Sequence, residues 1–240
     1  MCYNYSLNTV SSSLEKRFKA SLKGIKFKPV FHAKGFNHPK MPIIISSQTN
    51  DVRMFEWGLI PAWTKNNTKA NQIRNYTLNA RSESIFKKPA FKNSIFSQRC
   101  LIPATGFFEF QHSGKTNIPY YIFIPETTIF SFAGIWDTYI NDNNQTIHSY
   151  SIITKKADKF MSEIHNTKHR MPVILSFENE TDWLDADLSK LDIENFFRLK
   201  NPDLDAYTIS KQISKSGFNS DTPEILNKVI YPGNQQRLDF

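Results

Sequence analysis

The chain has 240 residues, enough for one large or two small domains and for a core that needs neither disulfides nor a metal. With 40% apolar residues, 20 phenylalanines and 22% charged residues it is not a disordered chain, and no apolar run approaches the ~20 residues of a membrane helix. A formal charge of +8 admits a polyanionic partner without requiring one.

The start, MCYNYSLNTVSSSLEKRFKA, lacks a basic stretch followed by an apolar one, so no secretion signal is expected and the chain reads as cytoplasmic. Ser12–Lys23 opens on serines and reads as a helix. Strands follow at Pro42–Ser46 and Arg53–Leu59, and the polar run Thr64–Gln72 reads as a loop. Cys100–Ile102, Gly106–Phe110, Pro119–Ile124 and Thr128–Trp136 read as strands, and the alternation in YYIFI and TIFSFAGIW gives them unequal faces. Ile140–Thr146 is a second polar loop, ahead of a strand at His148–Thr154. The remaining elements are a helix at Lys156–Ile164, a strand at Pro172–Leu175, short acidic helices at Thr181–Leu188 and Leu191–Arg198, and a strand at Ala206–Ile209. The expectation is an α+β fold, one domain over residues 1–240, built on a β-rich barrel-like mixed sheet with peripheral helices. With eight glycines and no GxGxxG or Walker A pattern, nothing points to a nucleotide-binding fold.

Charge is uneven. Lys16–Lys40 holds eight lysines and arginines and no acid, whereas Glu178–Asp205 holds nine acids and three bases. These are two solvated faces, or the first segment joins Arg53, Arg74, Arg81, Arg99 and Arg170 in one basic stripe.

Few residues can do covalent chemistry. The two cysteines show no CxxC spacing, which argues against a metal site, and no cofactor is implied. Cys100, in RCLIPA, reads as a small buried hydrophobe. Cys2 follows the initiator Met. Removal of Met1 would make it a 1,2-aminothiol, whose α-amine titrates near ~8 rather than the ~10.4 of a lysine. Such a group condenses with an aldehyde to an imine, and the adjacent thiol closes it to a five-membered thiazolidine. The same group could act as an N-terminal-nucleophile peptidase. Glu109, among phenylalanines in GFFEF, is either on a solvated strand face or a desolvated acid with a raised pKa. His165 and His169 in IHNTKHRMP stand four apart but lack the HExxH pattern and a third ligand, so zinc is not expected. Asn79 in LNARSES caps a turn or donates to a sugar or phosphate oxygen.

Taken in order, MC, WGLIPAW (57–63), NARSES (79–84), KPAF (88–91), RCLIPATGFFEF (99–110), FAGIWD (132–137), SIIT (151–154) and IHNTKHRMPVIL (164–175) resemble the SOS-response-associated peptidase (SRAP) family of abasic-site processing proteins. A further block, ISKQIS with DTPEI, extends the resemblance to about residue 225. It implies capture of abasic sites in single-stranded DNA as a thiazolidine crosslink, with lyase activity through the Schiff base and self-processing peptidase activity that removes Met1. It assigns Cys2 as nucleophile, Asn79 to position the sugar, Glu109 to handle protons at the amine and His165 to assist ring opening. It places Arg81 and Arg170 on phosphates, sets Trp57 and Trp63 along the DNA channel, and implies a monomer without metal or membrane. Three departures stand out. MCYN replaces the usual MCGR, GFFEF replaces GFYEW, and an insertion precedes RMP. Of the two histidines that compete there, His165 fits the motif better. Two other classes remain, a cysteine N-terminal-nucleophile peptidase and a non-catalytic single-stranded DNA-binding module.

Overall fold

A computed structural model describes residues 2–125 and 127–231. Met1, with its expected removal, and the end of the expected 1–240 domain lie outside the described residues. In chain order the elements are β1 (Asn4–Leu7), α1 (Ser11–Phe18), β2 (Val30–Lys34), β3 (Lys40–Ile45), β4 (Gln48–Trp57), α2 (Asn67–Ile73), β5 (Asn79–Arg81), α3 (Ser94–Ser97), β6 (Arg99–Ala104), β7 (Gly106–Ser113), β8 (Thr116–Phe123), β9 (Phe130–Ile140), β10 (Thr146–Lys156), α4 (Lys159–Ile164), β11 (Arg170–Pro172), β12 (Ile174–Leu175), α5 (Phe177–Trp183), α6 (Lys190–Arg198) and β13 (Asp205–Thr208). No helix among the described residues is long and apolar enough to cross a membrane.

Five strands close into a mixed barrel in the order β10-β4-β3-β6-β9, with β9 pairing back onto β10. The β4–β10 pair is parallel, Tyr150 opposite Trp57, and the other four pairs are antiparallel. The interior is tight. A Cβ on Gly134 would meet Ile102 Cδ1 at 2.5 Å and Cys100 Sγ at 2.9 Å, so only glycine fits that point of β9. Cys100 is buried, as expected of a small hydrophobe.

Beyond Tyr150, β10 exchanges neighbours. β5 takes over one edge, with Ile152 opposite Asn79 and Thr154 opposite Arg81. On the other edge β11 pairs with β10, and Val173 bridges β10 to β9, donating its N–H to Ile153 O and accepting from Ala133 N, each at 2.9 Å. The expected single strand Pro172–Leu175 is therefore two short strands, β11 and β12, on either side of Val173. This exchange carries Asn79, Arg81 and Arg170 to one end of the barrel.

The second sheet, β13-β8-β7-β1-β2, is antiparallel throughout. Its inner face packs Phe107 and Tyr5 against Phe132 of the barrel. Its outer face carries Phe108 and Tyr121, covered by Ile209, Ile213 and Ile225 of the C-terminal segment. Tyr5 and Tyr150 join sheet to barrel through a buried hydroxyl pair at 2.8 Å.

Several expectations change. The polar run Thr64–Gln72 contains most of α2, because Asn66 Oδ1 accepts from Lys69 N at 2.9 Å and caps it. The first helix stops at Phe18, where Lys19 turns left-handed at φ 50°. The helix expected at Thr181–Leu188 begins earlier and ends at Trp183. Strands β1 and β2 carry no clear alternation and take their form from pairing with each other and with β7.

Candidate active site

Cys2 lies where the chain enters β1, and that strand runs antiparallel to β7 with Tyr5 opposite Phe107. The reversed direction brings the residues before Tyr5 toward the Glu109 end of β7. Cys2 is buried, and its thiol donates to the carbonyl of Asn4 at 3.7 Å. Burial, and next the nearby Glu109 charge, push the thiol far above its ordinary value, so it rests protonated.

Asn79 starts β5 and faces Cys2. Its Nδ2 donates to the Cys2 carbonyl at 2.9 Å. Its Oδ1 is buried and has no hydrogen-bond partner among the described residues. The residue is only 7% exposed, so the unmade bond costs about 1–3 kcal/mol. An acceptor left empty at this cost marks a place for a ligand donor.

Glu109 is 4% exposed, which settles the two readings of GFFEF. Alternation does put Phe108 on the face opposite Glu109, but both faces of this sheet are covered. Burial raises the Glu109 carboxyl to about 8. His165 caps the C-terminal end of α4, whose N-terminal end is capped by Asp158 accepting from Met161 N at 2.9 Å. The helix is pinned to β7. Gln111 Nε2 donates to Glu163 O, His112 N donates to Asn166 Oδ1, and Asn166 Nδ2 donates to His112 O, each at 2.9 Å. This brings His165 Nδ1 to 3.7 Å from Glu109 Oε1 and 2.9 Å from Arg170 O. The carbonyl can only accept, so Nδ1 carries the proton and Nε2 keeps a lone pair. Burial lowers the ring to about 4. At neutral pH both groups are mostly uncharged, so their proximity is that of an acid and a neutral base rather than an ion pair. His169 is exposed in a left-handed turn at φ 48°.

Cys2, Asn79, Glu109 and His165 thus form one buried group at the junction of barrel and sheet. An open cleft of about 580 Å³ adjoins it at Asn79, walled by Trp63, Tyr76, Arg81, Lys88 and Phe91. Trp63 is 54% exposed on a loop clipped to β9 and β10, where Ala62 N donates to Asp137 Oδ2 at 3.0 Å and Ile60 N to Ser149 Oγ at 2.7 Å. Tyr76, 87% exposed, lay outside every motif, and nothing in TKANQIRNYT marks it. A second cleft, about 570 Å³, lies by Arg17, Phe177 and Asp182 and contains none of the expected site residues.

Three expectations are corrected. Trp57 does not line the cleft. It is wholly buried, its Nε1 donates to Leu78 O at 2.9 Å, and its ring stacks on Tyr150. Arg170 is not an open phosphate ligand. Its guanidinium binds Glu83 at 2.5 and 2.9 Å and Thr154 O at 2.7 Å, so a phosphate reaching it must displace Glu83. Glu83 belongs to NARSES, but nothing in the sequence pairs it with Arg170. The basic stripe loses Arg99, whose buried guanidinium binds the carbonyls of Trp183, Ile95 and Phe96, and Arg74, which pairs with Glu56 at 2.7 Å. Arg81 remains exposed.

No cluster of His, Cys, Asp or Glu among the described residues has the arrangement of a metal site. Residues 1–216 match the family model described as SOS response associated peptidase (SRAP). The chain is 34% identical over 191 residues to abasic site processing protein YoqW of Bacillus subtilis (strain 168), covering 78% of this chain and 80% of that protein. It is 29% identical over 196 residues to abasic site processing protein HMCES of Xenopus tropicalis, covering 72% of this chain and 56% of that one. A crystal structure of a Bacteroides thetaiotaomicron protein superposes with a TM-score of 0.88 at 36% identity, over 95% of this chain and all of the other. One from Bordetella bronchiseptica superposes with a TM-score of 0.75 at 26% identity, over 87% of this chain. The closed barrel, the motif order and these matches agree: the chain belongs to the SRAP family.

Proposed function

We propose that this protein processes abasic sites in single-stranded DNA by joining them covalently to Cys2. The observation that carries this is the Asn79 side chain. It holds the Cys2 carbonyl with its nitrogen and has a buried oxygen without a hydrogen-bond partner among the described residues. The names of the relatives support the substrate class, and the shared fold supports a common site.

In this reading hydrolysis of the Met1–Cys2 peptide bond first frees the α-amine. The ring-opened deoxyribose presents an aldehyde. The amine nitrogen adds to its carbon, giving a carbinolamine. Glu109, protonated near neutrality, donates to the carbinolamine oxygen, and water leaves with formation of the imine. The thiol sulfur then adds to the imine carbon, and its proton ends on the nitrogen. The His165 Nε2 lone pair takes the proton of the anomeric hydroxyl as the C1′–O4′ bond breaks and returns it to O4′, and Asn79 Oδ1 accepts from a sugar hydroxyl. β-Elimination from the imine is the lyase branch. Trp63 and Arg81 receive the strand outside the cleft. All these residues come from one chain, which supports a monomer as the working unit.

The test is denaturing electrophoresis of processed protein with an abasic-site oligonucleotide. A heat-stable adduct is expected, with none on intact DNA and none for protein that retains Met1. Cys2→Ser should leave at most an imine trapped by borohydride. No adduct under any of these conditions overturns the reading. Cleavage of Met1 without an adduct would favour a peptidase, and tight binding without an adduct a single-stranded DNA-binding module.

A further inference from the structure

His32, on β2, is a buried histidine outside the acid–base pair. Its ring has two partners on different parts of the chain. Nε2 lies 2.9 Å from Asn4 Oδ1, and Nδ1 lies 2.7 Å from Ser220 Oγ. An amide oxygen only accepts, so Nε2 carries the ring proton and Nδ1 accepts from the Ser220 hydroxyl. The ring is tucked under Phe108, centroids 5.0 Å apart, and burial keeps it neutral by lowering it to about 3. The backbone is held as well. Phe31 N and His32 N both donate to Asp221 Oδ1, at 2.6 and 3.0 Å.

The other end of this chain of bonds is the proposed nucleophile. Asn4 accepts the Cys2 thiol proton on its backbone oxygen while its side chain is turned to His32. Position 4 is where MCYN departs from the usual MCGR. The Asn4 side chain is half-buried and its amide oxygen is taken by His32. Ser220 and Asp221 lie just past residue 216, where the matched family model ends, at the start of the DTPEI block.

We propose that Ser220, His32 and Asn4 form a positioning relay in which the C-terminal segment around Ser220 fixes the Cys2 thiol for ring closure. All three are positioning residues. Their side chains bond one another, and the Cys2 thiol meets the trio at the backbone carbonyl of Asn4. The inference rests on Cys2 as the nucleophile, and its test separates the two ideas.

Three variants serve: His32→Leu, which removes both ring bonds at similar volume, His32→Gln, which can restore the bond to Asn4, and Ser220→Ala, which leaves His32 bonded to Asn4. The first measurement is the single-turnover rate of adduct formation on a saturating abasic-site oligonucleotide, beside affinity for the same strand bearing a tetrahydrofuran analogue that cannot open. His32→Leu should slow the adduct at least tenfold and Ser220→Ala about threefold, with affinity within twofold of wild type and partial recovery in His32→Gln. The second is alkylation by iodoacetamide, read at each cysteine by mass spectrometry and independent of DNA. A freed β1 end should alkylate Cys2 at least threefold faster while Cys100, in the barrel, stays at the wild-type rate. Faster alkylation at both cysteines, or equal loss of rate and affinity, would mean general loosening and overturn the relay. So would wild-type rates at Cys2 in both measurements. If His32→Leu does not fold, Ser220→Ala decides on the same two readouts. If wild-type protein forms no adduct, the nucleophile reading fails, and the alkylation contrast still decides the relay.

Discussion

The buried group and the open cleft meet at Asn79 but obey different physics. On one side Cys2, Glu109 and His165 are so desolvated that each is shifted toward its neutral form. On the other, Trp63 and Tyr76 expose more than half of their surface and Arg81 stands in solvent. Desolvated groups move protons at matched acidity and attract no polyanion over distance. Exposed cations and rings attract a strand but cannot tune a pKa. Substitutions on the two sides should therefore separate rate from affinity.

The largest break is expected on the buried side. Glu109→Gln and His165→Ala should slow adduct formation by ~10²–10⁴, the range of a positioned acid or base, while affinity changes less than threefold. Single-turnover rates beside equilibrium binding check this. His169→Ala is the comparison, since that side chain is exposed, and its rate should stay at the wild-type value. A slow His169→Ala with a normal His165→Ala would exchange the two histidines.

On the cleft side, Trp63→Ala should weaken binding of single-stranded DNA by ~1–3 kcal/mol, the worth of one base–aromatic stack, and leave the rate at saturation unchanged. Fluorescence anisotropy reads the first and adduct formation the second. Trp57→Phe should instead lower the melting temperature, because it deletes the buried bond to Leu78 O. Loss of affinity for Trp57→Phe at unchanged stability would return that residue to the channel.

The unequal legibility of the two sides has physical causes. The alternation in YYIFI and TIFSFAGIW marks β8 and β9, and both are strands. The motif blocks single out Asn79, Glu109 and His165 from sequence alone. Sequence could not say that Glu109 is buried, because burial of its face depends on α4 docking through Gln111 and Asn166, more than 50 positions apart. Trp57 and Trp63 share one motif, yet six positions turn one into the core and the other outward. Partners distant in sequence, such as Glu83 for Arg170 and Ser220 for His32, leave no local signature. The helix α2 was hidden because a polar, asparagine-rich segment looks like a loop until its cap is seen.

A smaller effect should appear in stability. Glu109 holds its proton in the fold up to about pH 8, whereas an unfolded carboxyl releases it near ~4.3. Its contribution is therefore full below ~4.3 and is lost as pH rises to about 8, at up to about 1.4 kcal/mol per pH unit. His165 acts oppositely. Its folded value of about 4 lies below the ordinary ~6.5, so stability falls as pH drops through that interval. Between ~4.3 and ~6.5 the His165 slope offsets that of Glu109 while buried His32, lowered to about 3, adds a further loss toward acid, and only the Glu109 slope acts from ~6.5 to about 8. Melting temperature of the wild type should decline over that upper interval. Glu109→Gln should flatten it there and steepen the decline toward acid below pH ~6.5. A wild-type curve that stays flat from pH 6.5 to 8 would mean that Glu109 is ionised in the fold.

The smallest effect concerns single phosphates. Each one neutralised on a single strand contributes about −0.7 to the slope of log affinity against log salt. Arg81→Ala should flatten the slope by that amount, because the residue is exposed at the cleft. Arg170→Ala tests a finer point. As the structure stands, Arg170 binds Glu83, and a phosphate would exchange one anion for another. If Glu83 keeps its place, Arg170→Ala leaves the slope unchanged and slows the adduct, since the guanidinium bound to Thr154 O and Glu83 fixes the strand whose backbone carbonyl orients His165. If the strand displaces Glu83, Glu83→Gln strengthens binding and steepens the slope. Salt titrations of Arg81→Ala, Arg170→Ala and Glu83→Gln side by side assign Arg170 to the cleft or to the buried group. Lys→Ala changes among the acidic residues 178–205 supply the zero of the scale, because that segment holds none of the cleft residues.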